Sequence, residues 1–185
     1  MEAVEFYIMD GSVRYRCGGT DKELGQADRD VVTAVLDGVR RFFPAAHQRL
    51  QELFRESERN RHFYEYRMAE RFIRCNFGEY NRLEMDLENG MFHFEEVSCP
   101  LRGVCKDEGV VCKPRFAMQA PSEEIRVARL YSRGHAPKEI AGMLKKSVKT
   151  VKNQLARLTK RLHLNGTRDL IRVLGSYPVM RYLEQ

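Results

Sequence analysis

The formal charge of the chain changes sign along its length, and this break restricts how the chain can fold. Residues 1–119 carry 18 Lys and Arg against 21 Asp and Glu, whereas residues 120–185 carry 14 against 5. All the excess positive charge of the 185-residue chain therefore lies in its last third. A chain of this length is sufficient for two small domains. The break predicts two domains, of which only the second has the charge of a polyanion-binding module.

Composition excludes several broad classes of protein. The apolar content of 43% and the charged content of 31% are typical of a globular chain rather than a disordered one. No stretch approaches the roughly 18 apolar residues of a membrane span, so we expect no membrane partner. The segment Met1–Glu5 has neither the basic nor the apolar part of a secretory signal, and we expect a cytoplasmic protein.

The first domain, residues 1–98, is predicted to have an α+β fold with two β-hairpins. Asp10-Gly11 lies between strand-like segments in residues 4–17, and Asn89-Gly90 lies between alternating apolar and charged residues in 83–97. Both dipeptides favour the tight turns of hairpins because they tolerate positive φ angles. We therefore expect four short strands in this domain.

About three helices are predicted between the two hairpins. Apolar residues recur at spacings of three and four over about 27–43 and about 61–77, and Pro44 can open a helix between these stretches. Because strands and helices do not alternate along the chain, the domain does not have the sheet of a phosphoacceptor receiver.

Three of the five cysteines lie in a polar, Gly- and Pro-containing loop, residues 99–119, which we assign to the first domain. Cys99, Cys105 and Cys112 give the spacing C-x5-C-x6-C. Thiolates are preferred ligands of soft metals, and a tetrahedral centre needs four of them. An odd number of cysteines in a reducing cytosol argues against a disulfide framework. The loop therefore predicts a metal site.

The fourth ligand has to come from outside the loop, and we predict Cys75, with Cys17 and His93 as alternatives. The spacing is not the C-x2-C of a zinc knuckle, so both zinc and an iron–sulfur cluster remain open, as does a site without metal. We favour zinc, which would be a structural cross-link. A cluster would make this half of the chain a redox or iron sensor.

The second domain, residues 120–185, is predicted to be all-α with four helices. Its third helix, residues 148–162, carries Val and Leu at steps of four, three and four on one face. The other face, named here the reading face, comprises Lys149, Lys152, Asn153, Ala156 and Lys160. A helix that packs one face and presents Lys and Asn on the other has the build of a major-groove reader. A solvated charged face is the alternative.

Several motifs of this domain, in order, resemble the LuxR/GerE-type helix-turn-helix family over about 55 residues, from Pro121 to Gly175. They are Pro121-Ser-Glu-Glu, Gly134, Lys138-Glu-Ile-Ala141, Ser147-Val-Lys-Thr-Val-Lys152, Leu158, and Leu162-His-Leu164 followed by Arg168. The resemblance implies a four-helix domain that binds double-stranded DNA as a homodimer, with its second and third helices forming the helix-turn-helix. The cysteine segment and first domain are also similar to bacterial regulators that couple a four-cysteine module to such a domain.

By position, the resemblance implies that Lys152 and Asn153 face base edges and that Lys149, Thr150 and Lys160 lie near phosphates. The whole predicted DNA-binding set is Lys138, Lys149, Thr150, Lys152, Asn153, Ala156, Arg157 and Lys160. The fourth helix, residues 168–174, would be the dimer helix, and the predicted dimer residues are Leu170, Ile171 and Leu174.

These observations predict a sequence-specific transcription regulator with a metal-stabilised or metal- or redox-sensing first domain. The alternative is a sigma-factor-like protein that recruits RNA polymerase, because the third helix also resembles a promoter-reading region. Two hairpins in the first domain count against the all-helical polymerase-binding region of a sigma factor. No nucleophile–base pair, phosphate-binding glycine loop or recurring carboxylate pair is visible in the first domain, so we do not expect an enzyme.

Overall fold

A computed structural model describes residues 2–78, 85–88, 90–117, 120–162, 164 and 166–175. The chain divides into two units, Met1–Ala117 and Met118–Gln185. The described residues form a mixed α/β structure with one five-stranded antiparallel sheet and seven α-helices. The expected combination of antiparallel strands and helices is thereby confirmed in outline. No helix among the described residues is both long enough and apolar enough to span a membrane.

The first hairpin has the predicted turn. Strands β1 (Val4–Met9) and β2 (Ser12–Cys17) pair in register from Val4 opposite Cys17 to Met9 opposite Ser12. Asp10 has φ 51° and Gly11 has φ 77°, so both turn residues take the left-handed conformation that a type I′ turn requires.

A third strand, β3 (Thr20–Glu23), was not predicted. It pairs antiparallel with β2 through a second tight turn, in which Gly18 has φ 55° and Gly19 has φ 77°. All four strand residues are exposed, so the strand carries no apolar alternation that could reveal it. The Gly-Gly pair is the signal that could have identified this hairpin.

The second hairpin is shorter than predicted. Strands β4 (Leu87–Glu88) and β5 (Met91–Phe92) have two residues each, and β4 pairs with β1 to give the strand order β3-β2-β1-β4-β5. Residues 83, 84 and 89 of the predicted span lie outside the described residues. Beyond β5 the chain leaves the sheet, because Glu95 N–H donates to the Asn76 carbonyl and the Glu95 carboxylate accepts from Gly78 N–H.

The first unit contains the three expected helices. They are α1 (Arg29–Phe42), α2 (Pro44–Leu53), which begins at the predicted proline, and α3 (Arg61–Asn76). A short 3-10 turn, Arg55–Ser57, joins the last two. The apolar stripe of α1 is buried against the rest of the unit, as its spacing predicted.

Aromatic rings fill the core between the helices and the sheet. Phe72 of α3 lies 5.2 Å from Phe92 of β5, and Phe94 lies 5.3 Å from Phe43, measured between ring centroids. A Cβ atom at Gly38 would come within 2.7 Å of the Phe92 ring, so α1 can approach β5 only because this residue is glycine. This core fixes the carboxyl end of α3.

The second unit contains α4 (Ser122–Ser132), α5 (Pro137–Met143), α6 (Val148–Arg161) and α7 (Thr167–Gly175). The predicted apolar stripe of the third of these helices is buried, and its members are Val151, Leu155, Leu158 and Leu162.

The apolar side of α7 packs within the second unit. Leu170 and Leu174 are fully buried there. The assignment of Leu170, Ile171 and Leu174 to a dimer contact stays a prediction. Ile171 is 46% exposed and is the member of the predicted set that remains on the surface.

Candidate functional site

The cysteine loop, residues 99–112, is folded by its own backbone hydrogen bonds. Cys105 N–H donates to the Leu101 carbonyl at 2.9 Å, and Gly109 N–H donates to the Cys112 carbonyl at 2.8 Å. The turn at Gly103 has φ 85°, which a residue with a side chain rarely adopts. The loop is therefore a defined structure built from turns.

Asn76, the last residue of α3, holds the end of the cysteine loop. Its side-chain N–H groups donate to the Phe72 and Val111 carbonyls at 2.9 and 2.8 Å, and its side-chain oxygen accepts from Lys113 N–H at 3.0 Å. Only 2% of the residue is exposed, so these bonds form away from water. Because Asn76 follows Cys75 and bonds both neighbours of Cys112, it brings these two cysteines to the same place.

Asp107 anchors the middle of the loop to two helices. Its carboxylate accepts from Arg49 Nε of α2 at 2.8 Å and from Arg71 Nη2 of α3 at 3.3 Å. The Asp107 side chain is 8% exposed, and its backbone carbonyl accepts bonds from residues 110–112. We call Asn76 and Asp107 the anchors of the loop.

Two of the predicted metal ligands, Cys75 and Cys112, are brought together through Asn76. Cys99 and Cys105 lie in the same loop as Cys112, where Arg102 N–H donates to the Cys99 carbonyl at 3.1 Å. The alternative ligand Cys17, at the end of β2, has Glu2 and Lys22 as its charged neighbours. Among the described residues, no three Cys, His, Asp or Glu side chains have the geometry to hold a metal ion. The four thiols are therefore gathered without forming a closed ligand shell.

Burial and neighbouring charges act in opposite directions on Cys75. Burial is the largest cause that raises the pKa of its thiol to about 11; the Arg71 guanidinium opposes this, and the other three cysteines add to it. Burial also raises the pKa of Cys112, with Arg102 opposing. At neutral pH both groups are therefore neutral thiols, which lose a proton when they bind a metal.

The connection between α5 and α6 is a tight turn with a capped helix after it. Lys145 has φ 50°, and Lys146 N–H donates to the Ala141 carbonyl at 2.9 Å. The Ser147 hydroxyl then accepts from Thr150 N–H at 3.0 Å and thereby caps α6. The spacing of the two helices is set by this turn.

The reading face of α6 is exposed. Every residue of the predicted DNA-binding set is exposed: Lys138, Lys149, Thr150, Lys152, Asn153, Ala156, Arg157 and Lys160. None of the four lysines forms an ion pair with a carboxylate among the described residues. Arg157 differs, because its Nη1 atom lies 3.6 Å from a Glu124 carboxylate oxygen.

Glu124 is a positioning residue that the sequence did not single out. Only 2% of this first-turn residue of α4 is exposed, and Arg161 Nη1 of α6 lies 3.1 Å from its carboxylate. Glu124 thus ties α4 to the carboxyl-terminal half of α6. From sequence alone, an acidic residue at the start of a helix is explained by the helix dipole, and that explanation concealed this role. The anchors Asn76 and Asp107 were missed in the same way, as ordinary polar residues.

No protein-family model matches this sequence, and no curated protein or solved structure matches it. Function therefore has to be inferred from the residues themselves. Two features are available for that inference: the gathered cysteines of the first unit and the exposed basic face of the second.

Proposed function

We propose that the chain is a sequence-specific DNA-binding transcription regulator whose residues 120–185 form a LuxR/GerE-type helix-turn-helix domain. The observation that carries the proposal is the division of α6 into a buried leucine face and an exposed face, which carries Asn153 and lysines that form no ion pair with any described residue. A helix of this kind, following a shorter helix and a tight turn, has the arrangement that places one face in the major groove.

Each part of the exposed face suits a different part of DNA. Lys149 and Thr150 lie in the first turn of α6, where free backbone N–H groups also favour phosphate. Lys160 lies in the last turn and can contact the backbone farther along the duplex. Lys152 and Asn153 lie between them, and their side chains can bond guanine and adenine edges respectively.

The proposed regulator binds as a homodimer at a two-fold-symmetric site. Two copies of one recognition helix read two half-sites, which doubles both the phosphate contacts and the base contacts. The exposed Ile171 of α7 is the apolar residue of the predicted dimer set that such a contact can use.

The sigma-factor alternative is disfavoured by the sheet of the first unit. Five strands occupy the part of the chain where a polymerase-binding region would need helices throughout. Copurification with core RNA polymerase and promoter-specific transcription would reverse this order of preference.

The test measures binding to a duplex that the wild-type protein selects from a random-sequence pool. We expect Lys152→Ala and Asn153→Ala each to cost about 1–3 kcal/mol, which is about 5- to 150-fold in affinity, and to reduce discrimination between sequences. Arg126→Ala is the matched control, because Arg126 is an exposed cation of the same unit that is paired with Glu123. Unchanged affinity and footprint in both test variants would show that α6 does not read DNA.

A further inference from the structure

The first unit contains a second site, which the DNA-binding proposal does not use. Cys75 precedes Asn76, whose side chain bonds the residues on both sides of Cys112. Cys99, Cys105 and Cys112 lie in the cysteine loop, which its backbone hydrogen bonds fold into turns. All four are free cysteines. Four thiols gathered from separated positions are the complete ligand set of a soft-metal centre.

We propose that these four cysteines bind one thiolate-ligated metal centre, a zinc ion or an iron–sulfur cluster, and that the loop carrying three of them is folded before the metal arrives. The anchors support the second half of this statement. Asn76 and Asp107 fix the loop to α2 and α3 through bonds among protein groups alone. The loop is therefore held by protein groups without a metal, whereas in a zinc finger the metal itself drives folding.

The charges around the site match such a centre. A zinc ion with four thiolates has a net charge of about −2, as has an oxidised iron–sulfur cluster with four thiolates. Arg71 lies near Cys75 and Cys105, and Arg102 and Lys113 lie near Cys112. Each thiol gives up its proton to solvent as its sulfur bonds the metal, so loading releases protons in proportion to the number of neutral thiols.

Cys99 is the outermost ligand of the proposed centre. It is exposed, whereas the other three cysteines are partly buried, and it precedes the exposed apolar residues Leu101 and Val104. The anchors hold residues 107–113, on the other side of Cys105. Because no three of the four thiols have metal-binding geometry among the described residues, closing the ligand shell requires movement of more than one of them.

The test is the metal content of the full chain purified without oxygen, measured as zinc, iron and acid-labile sulfide together with the visible spectrum. We expect one of two results. One zinc per chain without colour identifies a zinc site, whereas iron with an equivalent amount of sulfide and visible absorption identifies an iron–sulfur cluster. Replacing any of the four cysteines by serine should reduce the metal to background, whereas Cys17→Ser, the matched control, should keep it. A wild-type protein that carries no metal and takes up none on reconstitution overturns the proposal, as does full retention by Cys75→Ser.

A second measurement uses only the wild-type protein, so it tests the proposal even if the cysteine variants fail to fold. Wild-type protein stripped of metal and kept reduced is titrated with Co²⁺, whose bonds to thiolates give a charge-transfer absorption. We expect a one-to-one end point and an unchanged far-UV circular dichroism spectrum before and after loading. Unfolding on metal removal would contradict a loop that is folded before the metal arrives. DNA affinity, measured on the same samples, reports on the second unit independently, so either proposal can fail without the other.

Discussion

The basic side chains of the two units are used in different ways. In the first unit most arginines are paired with a carboxylate of the same unit: Arg14, Arg16, Arg29, Arg40, Arg49, Arg61, Arg67, Arg71, Arg74 and Arg102. In the second unit, Lys138 and the three lysines of the reading face have no such partner among the described residues. The difference lies in pairing as much as in net charge.

The comparison teaches that a run of basic residues is informative only when its partners are known. Helix α3 carries arginines at helical spacing, which resembles a nucleic-acid-binding face, but Glu65, Glu70 and Asp107 neutralise them locally. An unpaired surface lysine keeps its full attraction for a phosphate, whereas a paired arginine has to break an existing contact first. We therefore expect DNA binding to depend on the second unit alone.

The largest effect is expected from removing unpaired lysines. The triple variant Lys138→Ala, Lys149→Ala, Lys160→Ala should lower the slope of log affinity against log salt concentration by about 0.9 for each lost phosphate contact, about 2.7 in total. At roughly 1 kcal/mol per contact, affinity at low salt should fall about 100-fold. Fluorescence anisotropy with a labelled random-sequence duplex measures both quantities.

The matched control removes three paired cations from the first unit. Arg16→Ala, Arg40→Ala and Arg61→Ala change the net charge by the same amount as the lysine variant, so any effect of total charge is equal. We expect the salt dependence of the control to match that of the wild type. Equal loss of slope in both triple variants would mean that total charge, and not pairing, governs DNA binding.

The same residue type should contribute very differently to stability in the two units. Asn76→Ala leaves the buried Val111 carbonyl and Lys113 N–H without their partner and should lower the free energy of unfolding by about 2–4 kcal/mol. Asn153→Ala, at an exposed position, should change it by less than about 0.5 kcal/mol. Urea unfolding followed by circular dichroism measures both. Similar costs for the two substitutions would contradict the anchoring role of Asn76.

Loss of a carboxylate should likewise cost more in the first unit. Asp107→Asn removes the charge that holds Arg49 and Arg71 and should lower the free energy of unfolding by about 1.5–3 kcal/mol. Asp169→Asn breaks a surface pair with Arg172, whose expected contribution is below about 1 kcal/mol. The difference between their urea midpoints is the observable, and a more destabilising Asp169→Asn would argue against Asp107 as an anchor.

The smallest effect is expected at the helix caps, where stability and function should separate. Ser147 caps α6 and Asn60 caps α3, each by accepting a backbone N–H bond. Replacing either by alanine should cost about 1 kcal/mol of stability. Only Ser147→Ala should also weaken DNA binding, because only α6 belongs to the proposed interface. Weaker binding after Asn60→Ala would implicate the first unit.

Local signals predicted the elements that depend on local contacts. The Asp10-Gly11 turn and the apolar spacing of α1 and α6 were sufficient, because each element is recognised within its own residues. Strand β3 was missed since a fully exposed edge strand has no periodic pattern. The second hairpin was overextended because Glu95 bonds the end of α3, and no local pattern reports that competition.

The candidate sites also divide into features that local spacing reveals and features that depend on contacts distant in sequence. The reading face was visible from spacing along one helix, and the spacing of the cysteines identified three proposed ligands in one loop. Leu170 and Leu174 were assigned to a dimer contact from the family resemblance, which carries no information on how much of each side chain the same chain buries. Asn76, Asp107 and Glu124 act through partners that are distant in sequence, so only the folded chain identifies them.

The buried carboxylate of Glu124 lies close to two arginines of α6, one of which is free to exchange it for another anion. Arg161 lies closer to it, at 3.1 Å, while Arg157, at 3.6 Å, is 63% exposed. Under the proposed function, Arg157 can therefore move from this carboxylate to a DNA phosphate. Glu124 remains paired because Arg161 stays in place. Under the proposed function, Arg161 therefore keeps the orientation of α6 while Arg157 changes partner.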